Sequence, residues 1–399
     1  MQITDGFTYI AFLMLLAGGL LALEKYTKWK IFNIVPPLVW LYVINMLLCT
    51  FNFYDMTAEG VKPTYSALKN NLLYAMIFVM LLRCDFRKLA KLSGRMIAIF
   101  LGCSITLAIG TIAAYPIFVS PMGGAEKTWA AVSALYASWV GGSGNMAAME
   151  VAFEGSIDAG AYGCALALDT VCYSVWIALL LLAVNIAPKW NKIVKADTSK
   201  LQAVADAANK EIAKEKKKAT TADWVFIIGI SLVASAGSQW LGGLADGGLK
   251  AIGLDMFGAS TCTTVIVTLL GLVCALTPMG KLPAVEELSG IYLYAVVSLI
   301  ASTASLTDLI SAPVWVVYGF VILLVHVVLM FLLSKLFKWD LCMVSTASLA
   351  NIGGSASAPI VSSAYDASYA GIGVLMGVLG AAIGNFFGLG MGAILSLFA

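Results

Sequence analysis

A glycine-serine stretch occurs twice in this chain, once near the end of each half, and each copy interrupts an apolar run. Residues 138–154 read SWVGGSGNMAAMEVAFE, and residues 350–366 read ANIGGSASAPIVSSAYD. The two align without a gap at an offset of 212 residues. Gly141, Gly142, Ser143 and Ala152 fall on Gly353, Gly354, Ser355 and Ala364; Asn145 falls on Ser357 and Glu154 on Asp366. A polar, helix-breaking stretch at matching places in two apolar halves points to a binding site at the middle of a membrane transporter.

The setting of those stretches excludes a soluble domain. Of 399 residues, 61% are hydrophobic and 12% charged, against roughly 25% charged in soluble chains. The apolar runs are continuous rather than alternating, which predicts an all-α polytopic membrane protein and argues against a β-barrel. Eight cysteines are scattered through these runs without a C-x-x-C pair, and they read as small buried hydrophobes. A single histidine, His326, leaves no His-based metal cluster. No ATP-binding motif is present, so no cofactor is expected. The expected partners are the lipid bilayer and a small solute, with no nucleic acid.

Twelve apolar segments divide into a first membrane repeat at 1–187 and a second at 224–399, joined by a charged linker at 188–223. The first apolar run has no positive residue before it and Lys25, Lys28 and Lys30 after it. This predicts an uncleaved first span with the N-terminus outside. Charge fixes the rest, because cytoplasmic loops collect Lys and Arg. If the two glycine-serine segments enter and leave on one side, 20 of the 24 basic residues lie inside. Lys62, Lys69, Lys127 and Lys250 are then left to outside loops. If every segment crosses, the split is far less polar. The expectation is about ten transmembrane helices plus two re-entrant hairpins, at 128–158 and 343–368. With five crossings per half, the second half is inverted relative to the first and the C-terminus lies outside. Arms of about 12 residues span about 18 Å, enough to reach mid-membrane.

The tips carry the candidate chemistry. Gly142, Ser143, Gly144 and Asn145 in the first, with Gly354, Ser355 and Ser357 in the second, form the candidate substrate site. Glycine lets backbone approach a ligand closely, and helix N-termini at a tip favour an anion. Pro359 is expected in the first turn of the second returning arm. Asp169 lies deep inside an apolar span, where an ionisable group is functional by default. Asp169, Tyr173 one turn on, Asn351 and Asn385 are the candidate ion-binding residues, with Na⁺ possible at Asp169 and Asn351. Glu154 and Asp366 read as solvated groups at the hairpin mouths; Glu150 sits deeper. Gly141 to Gly144 also fits the G-x-S-G pattern of an intramembrane serine protease, but that chemistry needs a histidine base, and His326 is the sole candidate.

The run NIGGSASAPIVSSAYD followed by GIGVLMGVLGAAIGNFFG, together with GGSGNMAAMEVAF, MLLRCDFRKL and the Asp169 helix, resembles the YjcL-like bacterial membrane proteins, domain-of-unknown-function family 819. Two positions depart from the family pattern: Ser355 stands where proline is expected, and Thr170 where asparagine is. The paired tips are more distantly similar to those of glutamate/sodium and 2-hydroxycarboxylate symporters. That resemblance implies an elevator-type transporter of the bacterial inner membrane, working as a homodimer. The expected function is sodium- or proton-coupled transport of a small anionic solute such as an amino acid, carboxylate or short peptide. The alternatives are a cation/proton antiporter using Asp169, the protease, and a non-transporting membrane scaffold.

Overall fold

The computed structural model describes residues 2–84, 93–198, 201–203, 205–206, 218–251, 258–303 and 312–399. Among these residues the chain is helical, with one isolated bridge between Ile3 and Tyr54. Fourteen described helices have ten residues or more. The first seven are α1 (Gly6–Thr27), α2 (Pro37–Thr50), α3 (Val61–Leu81), α4 (Gly94–Phe118), α5 (Ala125–Gly141), α6 (Ser143–Ala152) and α7 (Ala159–Ala183). The second seven are α8 (Thr221–Ala251), α9 (Ala259–Ala275), α10 (Val285–Ala301), α11 (Ala312–Phe337), α12 (Leu341–Ile352), α13 (Gly354–Tyr365) and α14 (Ala370–Leu395). Each set opens with a long helix, and places two short arms between two long helices near its end.

Among the described residues, six stretches are long and apolar enough to cross a membrane: α1, α4, α7 extended to Val194, α8, α11, and α14 extended to Phe398. The protein is a multi-pass membrane protein. Its helix starts are written locally. Asp5 accepts from the Thr8 N–H at 2.7 Å, Asp158 from Ala161 at 2.8 Å and Asp340 from Met343 at 2.9 Å. Each satisfies an N–H that has no intrahelical partner.

Packing sorts the helices into two groups. One contains α1–α3 and α8–α10; the other contains α4–α7 and α11–α14. Within them, corresponding helices of the two sets touch: α3 packs on α10, α4 on α11 and α5 on α12. Between groups, α6 is the main bridge, resting on α3, α9 and α10.

The two glycine-serine segments fold as helical hairpins. In the first, Trp129 and Phe153 meet at the mouth with ring centroids 5.0 Å apart. In the second, Ser345 Oγ and Tyr365 Oη are 3.0 Å apart. The backbone turns through positive φ at Gly142 (97°) and Gly354 (69°). These two residues are aligned with each other in the sequence repeat, and a left-handed conformation favours glycine at both.

Several local expectations change. The first hairpin has unequal arms of 17 and 10 residues, because its first arm continues outward to Ala125. Pro359 is the sixth residue of α13, not in its first turn. There it has no N–H to give to the Ser355 carbonyl, and α14 uses the space. A Cβ on Gly373 would sit 2.5 Å from Pro359 N. Lys69 is no loop residue: it lies inside α3, 8% exposed. The linker is partly packed, with Val194, Leu201 and Ala205 buried. Arg95 donates to the Asp197 carbonyl at 2.8 Å.

Close approach at glycine holds α14 against the first hairpin. A Cβ on Gly384 would meet the Asn145 side chain at 2.7 Å, whereas Gly19 faces open space. Gly384→Val is expected to cost about 1–3 kcal/mol through overpacking, while Gly19→Val stays within about 0.5 kcal/mol. Thermal unfolding of the purified protein, followed by tryptophan fluorescence, compares the two.

Candidate functional site

The tips meet. The Cβ position of Gly354 lies 3.9 Å from the Gly142 Cα. Beside them, between the two helix groups, is a cavity of about 390 Å³, within the range of small-molecule sites. Its tip wall is Gly141, Gly142, Ser143, Gly144, Gly353 and Gly354; its opposite wall comes from α3 and α10. The N-termini of α6 and α13 both open at this junction. Their first-turn N–H groups have no intrahelical partner and favour negative charge.

The opposite wall adds ionised side chains that the sequence did not single out. Arg83, just past α3, and Glu286, in the first turn of α10, both line the cavity. They pair at 3.2 Å, with side chains 32% and 72% exposed. Exposed pairs of this kind are worth roughly 0–1 kcal/mol, so the Arg83 guanidinium exchanges this partner at little cost. Arg83 lies in MLLRCDFRKL, and counting it only as a loop charge hid it. The signal available was its place at the end of α3, whose counterpart α10 begins at the same wall.

Asn145 is behind the first tip and fully buried. Its Nδ2 donates to Asn385 Oδ1 at 2.8 Å and to the Ala381 carbonyl at 3.2 Å. Asn385 in turn donates to Thr268 Oγ1 at 2.9 Å. Asn145 Oδ1 is buried with no hydrogen-bond partner among the described residues. It approaches the Gly380 carbonyl around the Cα of Gly141, where both oxygens crowd the space a Cβ would fill. Two oxygens converging on a glycine are a group that could accept a donor or a small cation.

The remaining candidates occupy separate groups. Asp169 is held by the first arm of hairpin one: Trp139 Nε1–H donates to Oδ1 at 2.7 Å and Ser138 Oγ–H to Oδ2 at 3.0 Å. Tyr173 places its ring against Gly353. Asn351 accepts from Ser104 Oγ–H at 2.7 Å and donates to the Ala347 carbonyl at 2.9 Å. Ser357 donates to the Gly353 carbonyl at 2.6 Å, which tightens the turn. The side chain of Ser355 lies outside the described residues. The structure therefore gathers Gly142, Ser143, Gly144 and Gly354 at the cavity and joins Asn145 to Asn385. It sets Asp169 and Asn351 in hydrogen-bond groups of their own.

His326 is buried and bonded on both sides, its Nδ1 2.7 Å from Thr106 Oγ1 and its Nε2 2.8 Å from Ser348 Oγ. Trp176 donates to the same Ser348 at 3.0 Å.

A search of curated proteins finds no match. The family described as "Protein of unknown function (DUF819)" matches residues 11–398, from within α1 to the last residue but one. That match takes in both hairpins and the cavity wall, and the chain belongs to this family.

Proposed function

We propose that the protein is an ion-coupled secondary transporter of a small anionic organic solute, driven by Na⁺ or H⁺. The observation that carries this reading is the meeting of the two aligned glycine tips at one cavity. Irregular backbone at membrane depth survives only when buried in protein or lining a wet cavity, and a non-transporting scaffold has no need of two such breaks facing each other. The solute carboxylate sits at the N-termini of α6 and α13, near Ser143 and Gly144, with the Arg83 guanidinium on the opposite wall.

In this reading the chain crosses the membrane ten times and the hairpins are re-entrant, entering from opposite sides. Contacts at the helix ends support that arrangement. At one end Tyr9, in the first turn of α1, reaches Ser302, just past α10, at 2.5 Å. At the other, Arg83 meets Glu286, Arg95 reaches Asp197, and Gln202 donates to Ser368 at 3.3 Å. The lysine-rich linker belongs to this second end, which the positive-inside rule makes cytoplasmic. The division into two helix groups supports an elevator movement: α4–α7 and α11–α14 carry the tips past a scaffold of α1–α3 and α8–α10. The distant symporter resemblance adds dimerisation through that scaffold.

Asp169, in the moving group, is the carboxylate proposed to hold or carry the coupling ion. The engagement of His326 with Thr106 and Ser348 supports a binding rather than a nucleophilic role for Ser143.

Two outcomes follow for function. Gly354→Leu puts a side chain into a left-handed tip and is expected to abolish solute uptake at normal expression, as is Asp169→Asn. Arg83→Ala is expected to weaken apparent solute affinity by roughly ten- to a hundredfold, the worth of a charge-assisted hydrogen bond. Radiolabelled uptake in proteoliposomes with a panel of carboxylates, amino acids and short peptides reads both effects. Uptake that survives Gly354→Leu and Asp169→Asn sinks the site assignment. For the ion, Na⁺ added to choline buffer is expected to raise the unfolding temperature of wild type but not of Asp169→Asn. A pH response that depends on Asp169, without any solute effect, would instead favour cation/proton exchange.

A further inference from the structure

Lys69 and Glu150 form a buried ion pair at the interface between the two helix groups. Lys69 Nζ in α3 lies 2.9 Å from Glu150 Oε1 in α6, with side chains 10% and 6% exposed. Lys69 is about eight residues, or roughly 12 Å, from the start of its helix. The other carboxylate oxygen, Glu150 Oε2, is buried and has no hydrogen-bond partner among the described residues. A buried carboxylate with one oxygen unpartnered bears a desolvation penalty that its lysine only partly offsets.

The titratable neighbours come from each element packed around the pair. Tyr65 is on α3, with its ring 5.8 Å from Lys69 Nζ. Glu154 follows α6 and acts on both members, and Tyr162 on α7 faces Glu150. Glu154 is itself anchored on the α3–α9 side, accepting from Asn70 at 3.1 Å and from Ser260 at 3.0 Å.

α6 cannot leave α3 with this pair intact. Separating a buried pair while both groups stay charged leaves two uncompensated ions. We propose that Glu150 Oε2 is a proton-binding site, and that protonation there unlatches hairpin one from α3. The proton comes from water at the hairpin mouth and adds to the free oxygen. The neutral acid gives up its ionic hold on Lys69, which keeps the Tyr65 ring of its own helix beside it. No other covalent bond is made or broken; the hydrogen bonds from Asn70 and Ser260 to Glu154 are exchanged for bonds to water as the hairpin parts from α3. The link to solute movement rests on the transporter reading; the proton site does not.

Infrared difference spectroscopy on the purified full-length protein, between mildly alkaline and mildly acid buffer, tests the site without any solute. Wild type is expected to gain a reversible carboxylic-acid carbonyl band that Glu150→Gln lacks. With the intrinsic pH dependence of amide exchange divided out, protection of α6 is expected to fall on acidification in wild type and to stay unchanged in Glu150→Gln. If that variant does not fold, Lys69→Met combined with Glu150→Met replaces the pair by apolar chains of similar length and is expected to show the same two losses. A wild type with no such band, or a band retained by the variants, overturns the proposal. Failure to find a transported solute would leave this result intact and count only against the transporter reading.

Discussion

In hydrocarbon, every backbone N–H and C=O must find its partner inside the protein, and a break in a helix leaves several without one. This chain interrupts two apolar helical segments, at Gly142 and at Gly353–Gly354. The rest of the architecture shelters those breaks. α14 and α4 close over the tips from one side, with glycines letting the backbones come close. A Cβ on Gly380 would run into the Val140 carbonyl, and one on Gly384 into Asn145. α3 and α10 close from the other side and leave the cavity between. The same breaks leave helix N-termini at the cavity, where their dipoles favour negative charge.

The polar groups near the tips divide by how fully they are engaged. Asp169, Asn351 and His326 are held by named donors and acceptors and fix the shape of the helix group that carries the hairpins. Arg83 and Glu286 are paired loosely at a partly exposed wall, where exchanging partners costs little. Glu150 and Asn145 each keep one buried oxygen without a hydrogen-bond partner among the described residues. Native proteins rarely leave such atoms idle. Asn145 lies behind the first tip and Glu150 on the surface along which the helix groups meet.

The tips were legible in the sequence because glycine at a left-handed position is a local requirement. An ungapped offset of 212 residues marks the same requirement twice, and the two positive-φ glycines fall on that offset. The membrane class was legible from the continuous apolar runs. Lys69 was not, since KPTYSALKNN reads as a polar loop until α3 is seen to begin at Val61. Its partner is 81 positions away on another helix, and no spacing rule reaches that far. Arg83 was hidden for a similar reason: a charge at a helix end looks like a topology signal, and only packing shows which cavity it faces. The roles of Ser138, Trp139 and Ser104 also come from contacts across helices, which composition cannot report.

The most direct test of the central claim is the accessibility of the first tip from the two sides of the membrane. Ser143→Cys, in a chain whose eight native cysteines are replaced, would be exposed to a membrane-impermeant thiol reagent in sealed right-side-out and inverted vesicles. An alternating site at two meeting tips predicts labelling from both sides, with the ion gradient shifting the balance between them. Labelling from one side alone under every gradient, or from neither, would contradict it.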